Sequence, residues 1–544
     1  RLEMTDRVRP AVQLLALGVG LILFICCANV ANLLLSRGVS RRKELAVRTA
    51  LGASRRDLLR QVMSESLVLS VGGGILGLAL GAGLLRGLPL LAPEDFPRLD
   101  AIHLDGRALA FALGATLLTS LASGLLPLLQ TSRISLLPAL GRGPGDQAGS
   151  RAFPFGRGLL AAEAALAVLL LVAAGLLLHS FSRLLDVDAG YDQDGVLAAR
   201  VMLQEGTPPE VQMAQVGEIL EALRATGGVV AAGAGNMAPL SRATAISQFT
   251  LPWPGPDGEP AVARAVSYVV TPGYTEALSM NLQEGRWFRD ADLTAAGQPM
   301  LVNEAFVRAY LTDGKPAVGR QMGQPSEEEP VPPEIVGVVA NVLRDGLDDV
   351  PQPAIYTLPQ PDARTFGSFS LLVRTAGEPQ ALVGTLREAV RQAEPGALVD
   401  VATLSSQVSA SLAQPRFAAA TLGVFALLAL VLAATGLYGV LSYSVSRRVR
   451  EMGIRSALGA GHGSLVRLVM RQGLAVCAVG LLLGLAGAAL LTRWLESQLF
   501  GVSPLDPLAF AAAPLALLAV AALACWLPAR RAASVEPTEA LRAE

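Results

Sequence analysis

The 544 residues predict an α-helical transmembrane bundle of about seven spans, built on a duplicated three-helix unit, with an α/β extracytoplasmic domain inserted between the fourth and fifth spans. Three observations predict it. Apolar residues are gathered into long, sparsely charged runs. The charges between those runs alternate in sign along the chain. One basic segment occurs twice, each time after one run and before two more.

The runs come first. Hydrophobic residues make up 52% of the chain and charged residues 16%, with a mean hydropathy of +0.47; a soluble domain carries about 25% charged residues. Seven stretches reach the length of about 20 residues that a bilayer core demands: about 11–36, 59–86, 107–130, 157–182, 417–444, 467–491 and 506–528. A net charge of −1 offers no basic field for nucleic acid. Cys26, Cys27, Cys477 and Cys525 all lie in apolar runs and read as buried thiols, with no disulfide framework or metal site. The chain opens on Arg1 and shows no signal peptide, so it is expected to be a fragment or the product of a truncated gene model.

Charge then sets orientation. Arg37, Arg41, Arg42, Lys43, Arg48, Arg55, Arg56 and Arg60 follow the first run and mark a cytoplasmic end. The next connection holds Glu94, Asp95, Asp100 and Asp105 against Arg98 alone and faces out. Arg133, Arg142, Arg151 and Arg157 return to the inside, which places 184–415 outside and the tail, with Arg530, Arg531 and Arg542, inside. The 184–415 stretch has soluble composition. Helices are expected at Glu210–Thr226 and Pro379–Ala393, and strands at Val196–Met202, Glu334–Val339 and Ser370–Val373.

The repeat carries the functional reading. Arg41-Arg-Lys-Glu-Leu-Ala-Val-Arg-Thr-Ala-Leu-Gly-Ala53 matches Arg448-Val-Arg-Glu-Met-Gly-Ile-Arg-Ser-Ala-Leu-Gly-Ala460 without a gap. Each half closes alike, on Pro127 with Pro138-Ala-Leu140 and on Pro528 with Pro537 and Ala540-Leu541. Parallel repeats of this kind suggest a pseudo-two-fold transporter. Val47, Leu51, Leu58 and Val62, and in the second copy Ile454, Leu458, Leu465 and Val469, fall at helical spacing. Glu44 with Arg48, and Glu451 with Arg455, form favourable i,i+4 pairs. Gly52 and Gly459 suit a helix stop, and Ser54 with Asp57 a capping box for the next helix. The predicted object is a short amphipathic helix on the cytoplasmic surface that turns into a span. A helix that only fixes topology and binds anionic lipid would not need Glu-x-x-x-Arg-x-Ala-Leu-Gly-Ala in both halves. In the second copy Gly461, His462 and Gly463 replace Ser54, Arg55 and Arg56, so its turn is expected to be looser.

These segments resemble the cytoplasmic coupling region of FtsX/MacB-type permeases, one class of ABC transporter, and Pro528-Ala-Arg-Arg-Ala-Ala533 resembles their usual end. The duplication, with Leu437-Tyr-Gly-Val-Leu-Ser-Tyr-Ser-Val445, resembles the acidobacterial duplicated orphan permeases. Thr271-Pro-Gly-Tyr274, Glu284-Gly-Arg286, Val302-Asn-Glu304, Ile335-Val-Gly-Val338 and Ala354-Ile-Tyr356 look like landmarks of a MacB-like periplasmic core domain.

The resemblance implies a first FtsX-like unit at 1–140 that lacks its leading span, a cytoplasmic linker and fourth span at 141–183, a periplasmic core at 184–415 and a second FtsX-like unit at 416–544. It further implies a bacterial inner-membrane permease. A cytoplasmic ABC ATPase would act through Arg41, Lys43, Glu44, Arg48, Leu51, Gly52, Arg448, Arg450, Glu451, Arg455, Leu458 and Gly459. The motion would reach a periplasmic substrate or adaptor. No cofactor and no nucleic-acid partner are implied. The two lysines, Lys43 and Lys315, stand in no Walker loop, so the ATPase is expected on a separate chain and enzyme activity is not expected here. Export or extraction of a periplasmic substrate is the leading reading. A mechanotransmitter that controls an extracytoplasmic partner, such as a cell-wall hydrolase, is the alternative. A secondary transporter would need mid-membrane charges.

Other residues read more simply. Glu163, in the fourth run, is a functional candidate by default, yet it can snorkel or meet Arg157 or an interhelical partner. Asn29 and Asn32 suit helix–helix hydrogen bonding, and Gly72-Gly-Gly74 with Gly77 suit close helix packing. His103, His179 and His462 stand isolated, without ligand spacing. Trp494 and Trp526 suit the interfacial belt.

Overall fold

The computed structural model describes residues 2–40, 55–91, 104–131, 149–204, 207–241, 245–254, 260–294, 297, 299–323, 331–360, 368–447, 449–458, 460–496 and 499–533. The chain divides into two compact units, Arg1–Arg183 with Pro415–Glu544, and Leu184–Gln414.

The first unit is helical: α1 (Leu2–Ser40), α2 (Arg55–Leu91), α3 (Gly106–Thr131) and α4 (Gly149–Leu185) precede the insertion. In lipid a backbone must bond within itself, and Leu-, Ala- and Val-rich runs do so as helices. Six helices in the whole chain have described stretches long and apolar enough to cross a bilayer: Val12–Asn32, Met63–Gly83, Gly156–Leu185, Ala413–Ser446, His462–Arg493 and Pro507–Arg531. The described apolar stretch of α3, Gly106–Leu121, is shorter.

Helix α4 is the hub. Its apolar window is 61% buried, against 6% for that of α2. Its Ala167, Val168, Val172 and Leu176 meet Ile25 of α1 and, from the chain beyond the insertion, Ala429, Ala488, Ala509 and Leu517.

The second unit holds two sheets. β1 (Val196–Met202), β2 (Val229–Gly235), β9 (Ser368–Thr375) and β10 (Leu398–Thr403) form an antiparallel sheet in the order β10-β1-β9-β2. Helices α5 (Pro209–Arg224) and α8 (Val383–Ala393) cover it, through Val216, Ile219 and Leu223 and through Leu386 and Val390, against Leu197, Val201, Phe369 and Leu371. A short 3-10 turn, Pro379–Leu382, opens α8, so the helix expected at Pro379–Ala393 is built in two pieces.

The other sheet is mixed. It comprises β3 (Ile246–Pro254), β4 (Pro260–Val269), β5 (Leu282–Gly285), β6 (Pro299–Asn303), β7 (Glu334–Val339) and β8 (Ala354–Thr357), in the order β3-β4-β8-β6-β7-β5. The one-turn helix α6 (Tyr274–Ala277) follows β4, and α7 (Glu304–Tyr310) seats Phe306 in the core of this sheet with Ile335 and Ile355. Helix α9 (Leu404–Ser411), capped by the Thr403 side chain, closes the unit.

The short motifs of this domain are its joints. In Thr271-Pro-Gly-Tyr274, Gly273 takes φ +93°, and a Cβ on Gly233 would lie 2.2 Å from the Tyr274 nitrogen, so the turn presses directly on β2. The Thr271 hydroxyl accepts from the Ala234 N–H at 2.8 Å, and the Tyr274 hydroxyl donates to the Met237 carbonyl at 2.8 Å. Asn303 caps α7 by accepting from the Phe306 N–H and also accepts from the Ala354 N–H, both at 2.9 Å, tying α7 to β8.

Beyond the domain come α10 (Ala413–Arg447), α11 (Val449–Ala457), α12 (His462–Leu495) and α13 (Pro507–Ala533). The repeat sets Arg41 on Arg448; on the same shift Gly18 falls on Phe425 and Asn29 on Gly436. Both pairs are in contact. A Cβ on Gly18 would lie 2.8 Å from the Phe425 ring, and one on Gly436 would lie 2.2 Å from Asn29 Oδ1. Residues that touch their own equivalents lie on a two-fold axis, so α1 and α10 face each other across the pseudo-two-fold of the duplication.

The same shift sets Gly73 on Gly480 and Gly77 on Gly484. Their surroundings differ. A Cβ on Gly480 would stand 2.4 Å from the Ala161 carbonyl oxygen and one on Gly484 2.6 Å from that of Ala165, so α12 lies backbone to backbone on α4. Gly72, Gly73 and Gly77 have nothing within 4 Å. Close packing expected of all four first-half glycines is found at Gly74 alone, against Thr116; the others lack a facing helix among the described residues.

Candidate functional site

Helix α10 leaves the inserted domain at Ala413 and runs 35 residues, about 50 Å at helical rise, to reach α11 at its other end. Residues 449–457 form the short helix that the second copy of the repeat predicts. Met452, on its inner face, is buried with Val445, Leu465, Val469 and Ala529, which anchors α11 to α10, α12 and α13. On the outer face Glu451 and Arg455 pair at 2.7 Å, each about half exposed. Such a pair is worth about 0.3–0.5 kcal/mol to the helix. Beside it Ile454 is 43% exposed and Leu458 83%. The apolar set at helical spacing is therefore split: Leu465 and Val469 face inward, whereas Ile454 and Leu458 face outward, because the chain breaks between α11 and α12.

The break is short. Ala460 N–H donates to the Arg455 carbonyl at 2.9 Å, and Gly461 caps α12 without a side-chain bond, its carbonyl accepting instead from Ser464. Arg41, Lys43, Glu44, Arg48, Leu51 and Gly52 lie outside the described residues, as do Arg448 and Gly459 and the side chain of Arg450. Glu451, Arg455 and Leu458 are the predicted site residues whose side chains the structure brings together on one face.

At the opposite end of the bundle His179 is engaged rather than isolated. Its Nδ1 lies 3.2 Å from Asp506 Oδ2, and Arg183 Nε donates to its Nε2 at 3.4 Å. Asp506 caps α13 by accepting from the Ala509 N–H at 3.0 Å, and Ser180 Oγ accepts from the Phe500 N–H at 2.8 Å. The end of α4, which leads into the inserted domain, is thereby tied to the start of α13. A lone histidine and a distant aspartate carry no spacing signal, so only Asp506 ahead of Pro507, a cap pattern, hinted at this in the sequence.

Three further readings meet the structure. Asn29 Nδ2 donates to the Leu432 carbonyl of α10 at 2.8 Å, the interhelical bond expected of it. Glu163 neither snorkels nor pairs with Arg157; it is 1% exposed and both carboxyl oxygens lack a hydrogen-bond partner. Trp526 is 48% exposed with the Arg530 guanidinium 5.6 Å from its ring centre, an amphipathic arrangement suited to an interface. Trp494 lies among residues whose side chains are not described.

In the inserted domain Arg286 grips Asp292 through two bonds, 2.6 and 3.0 Å long. The Arg286 guanidinium, joined by the Arg289 N–H, holds the Asp292 carboxyl below its ordinary range against the opposing effect of burial.

Comparison with known proteins agrees with this layout. The model for the FtsX-like permease C-terminal region matches twice, at residues 16–136 and 423–537, and that for the MacB-like periplasmic core domain matches residues 164–393. A macrolide export ATP-binding/permease protein, MacB 1/2 of Paracoccus denitrificans, is 28% identical over 286 residues, covering 49% of this chain and 40% of that protein. MacB of Escherichia coli K12 is 35% identical over 124 residues, 23% of this chain and 19% of that one. The chain thus spans at most about two fifths of the length of these relatives.

Among solved structures, the periplasmic region of MacB from Actinobacillus actinomycetemcomitans aligns with 41% of this chain and 95% of its own, at 12% identity and a TM-score of 0.28. The extracellular domain of the ABC-type transporter YknZ from Gram-positive bacteria aligns with 38% of this chain and 99% of its own, at 15% identity and a TM-score of 0.25. On its two permease matches, its periplasmic-core match and its apolar helices, the chain belongs to the FtsX/MacB-type ABC permeases, multi-pass proteins of the bacterial inner membrane with an extracytoplasmic domain.

Proposed function

We propose that this permease couples ATP hydrolysis by a separate cytoplasmic ATPase chain to export or extraction of a periplasmic substrate, by mechanotransmission through the bundle. The observation that carries the reading is the outer face of α11. An anchored helix that leaves Ile454 and Leu458 bare beside an ion pair offers a partner an apolar contact with a polar frame. The sequence repeat assigns Arg41, Lys43, Glu44, Arg48, Leu51 and Gly52 the same role in the first half, with Arg448, Arg450 and Gly459 in the second, so that each half would serve one groove of an ATPase dimer.

Contact between equivalent positions, Gly18 with Phe425 and Asn29 with Gly436, supports pairing of the halves within one chain, as in the duplicated orphan subgroup. The named relatives are ATP-binding/permease proteins, and their macrolide export suggests an amphipathic cargo class. The proposed substrate is therefore a drug, peptide or lipid. Neither of this chain's two lysines, Lys43 and Lys315, stands in a Walker loop, which supports an ATPase on a separate chain.

The test is a Glu44→Ala, Glu451→Ala double variant, with Leu458→Ser as a second. The ion pair contributes little to folding, and Leu458 is nearly free of contacts, so expression and insertion should stay normal. ATPase capture in a pull-down and stimulated turnover in reconstituted membranes should both fall. A helix serving only as a lipid anchor would behave otherwise: losing acids strengthens its hold on anionic lipid and leaves turnover unchanged. Unchanged capture and unchanged stimulation in both variants would reject the coupling role.

A further inference from the structure

At one place in the bundle several buried polar atoms stand without partners. Glu163 on α4 is 1% exposed, and Asn29 and Asn32 on α1 are 7% and 4% exposed. Both Glu163 oxygens and Asn29 Oδ1 lack partners, as does Asn32 Nδ2. The Asn29 amide is oriented by its own bond: the Leu432 carbonyl can only accept, so Nδ2 faces it at 2.8 Å and Oδ1 faces away. A Cβ on Gly436 would stand 2.2 Å from that Oδ1 and 2.7 Å from Glu163 Oε2. Both oxygens therefore press against the bare backbone of residue 436, a close approach that only glycine allows.

Acceptors facing each other in a weakly screened interior repel, and each unmade bond costs its full desolvation. No basic side chain among the described residues pairs with Glu163. Arg157 sits six residues earlier on α4, which turns it well around the helix from Glu163. Of the titratable groups on the packed elements, Cys26 of α1 is close enough to feel the Glu163 charge. Cys477 of α12 lines an apolar cavity with Leu160 and Ala164, and Tyr438 of α10 is engaged by Arg531 of α13 at 2.9 Å. None supplies a positive charge to the oxygens beside Gly436.

We infer that Glu163 and Asn29, brought together against the bare backbone of Gly436, form a site for one monovalent positive charge, a proton or an alkali ion, at the seam between the repeated halves. Either occupant supplies what the oxygens lack. A proton on one Glu163 oxygen makes it a donor to Asn29 Oδ1. An alkali ion draws the carboxylate and Oδ1 together as ligands. Asn29 and Gly436 are equivalent in the repeat, so the site lies on the pseudo-two-fold axis, and its occupancy bears on how firmly α1 and α10 hold together. The inference is independent of the docking role assigned to α11.

The test uses the purified chain in lipid nanodiscs. Infrared difference spectra of the carboxyl region at neutral pH compare the protein with Glu163→Gln. Thermal unfolding is followed in sodium, potassium or N-methylglucamine at constant ionic strength. A protonated-carboxyl band that is lost in Glu163→Gln assigns the proton; in Asn29→Ala that band should persist and shift to higher frequency as its acceptor goes. An unfolding temperature that depends on sodium or potassium, with the dependence lost in Glu163→Gln and Asn29→Ala, assigns the alkali ion. Glutamine is isosteric and keeps a donor toward Oδ1, so that variant should fold. Absence of the band together with unfolding indifferent to the cation would overturn the inference, as would either signal surviving unchanged in Glu163→Gln.

Discussion

Alanine at Gly480 and Gly484, set against alanine at Gly73 and Gly77, separates the two halves of the repeat in one experiment. The four positions are equivalent in pairs, so helix propensity favours alanine at each by about 1 kcal/mol. Only the second-half pair meets an obstacle. The added methyl at Gly480 would lie 2.4 Å from the Ala161 carbonyl oxygen and 2.6 Å from the Ala164 Cβ; at Gly484 it would lie 2.6 Å from the Ala165 carbonyl oxygen and 2.8 Å from Val168 Cβ. Backbone oxygens on a packed helix cannot swing aside, so α12 must shift, and overpacking of this kind costs about 1–3 kcal/mol per site. At Gly73 and Gly77 nothing lies within 4 Å. The second-half pair should therefore be less stable than its first-half counterpart by about 1–3 kcal/mol per site, the overpacking cost alone, because the propensity gain is common to both pairs and cancels. Denaturant or thermal unfolding in nanodiscs, with intact insertion checked by protease protection, reads the difference. Equal destabilisation of both pairs would refute the reasoning, since it would mean that the α2 glycines are covered by a helix as closely as those of α12.

Three further outcomes follow from the same structure. Asp292 has its carboxyl held low by Arg286, so the pair's contribution is present above the unfolded carboxylate value of about 3.9 and is lost as pH falls through the folded one. Asp292→Asn should flatten the acid side of the stability–pH profile, by no more than about 1 kcal/mol because Arg286 is 37% exposed, and leave the alkaline side unchanged. Asp506→Ala should cost about 0.5–2 kcal/mol through the lost α13 cap, and somewhat more than His179→Ala, which leaves the Ala509 bond intact; unfolding of the two variants and their double compares them. Cysteines placed at Asp95 and at Arg142 should label from opposite faces of the membrane, and labelling from one face would contradict the orientation set by loop charge.

The helices, their order and the place of the inserted domain could be read in the sequence because the bilayer imposes a simple rule: apolar runs of fixed length, basic residues inside. Strands such as Val196–Met202 and Glu334–Val339 were equally legible from short apolar runs between glycines and prolines, and the structure has them at those bounds. The gapless repeat predicted a short helix ahead of the next span, and α11 stands at residues 449–457. What a periodic pattern does not contain is which neighbour each face meets. Ile454 and Leu465 share a phase in the sequence yet point oppositely, because the chain turns between α11 and α12. Gly73 and Gly480 are the same residue in the same repeat, but only Gly480 has α4 against it. His179 finds Asp506, more than three hundred positions away, and Glu163 ends beside Asn29 and Gly436 with no basic side chain among the described residues paired to it. These pairings depend on three helices converging at once, and hydropathy, a property of each residue by itself, carries no information about them.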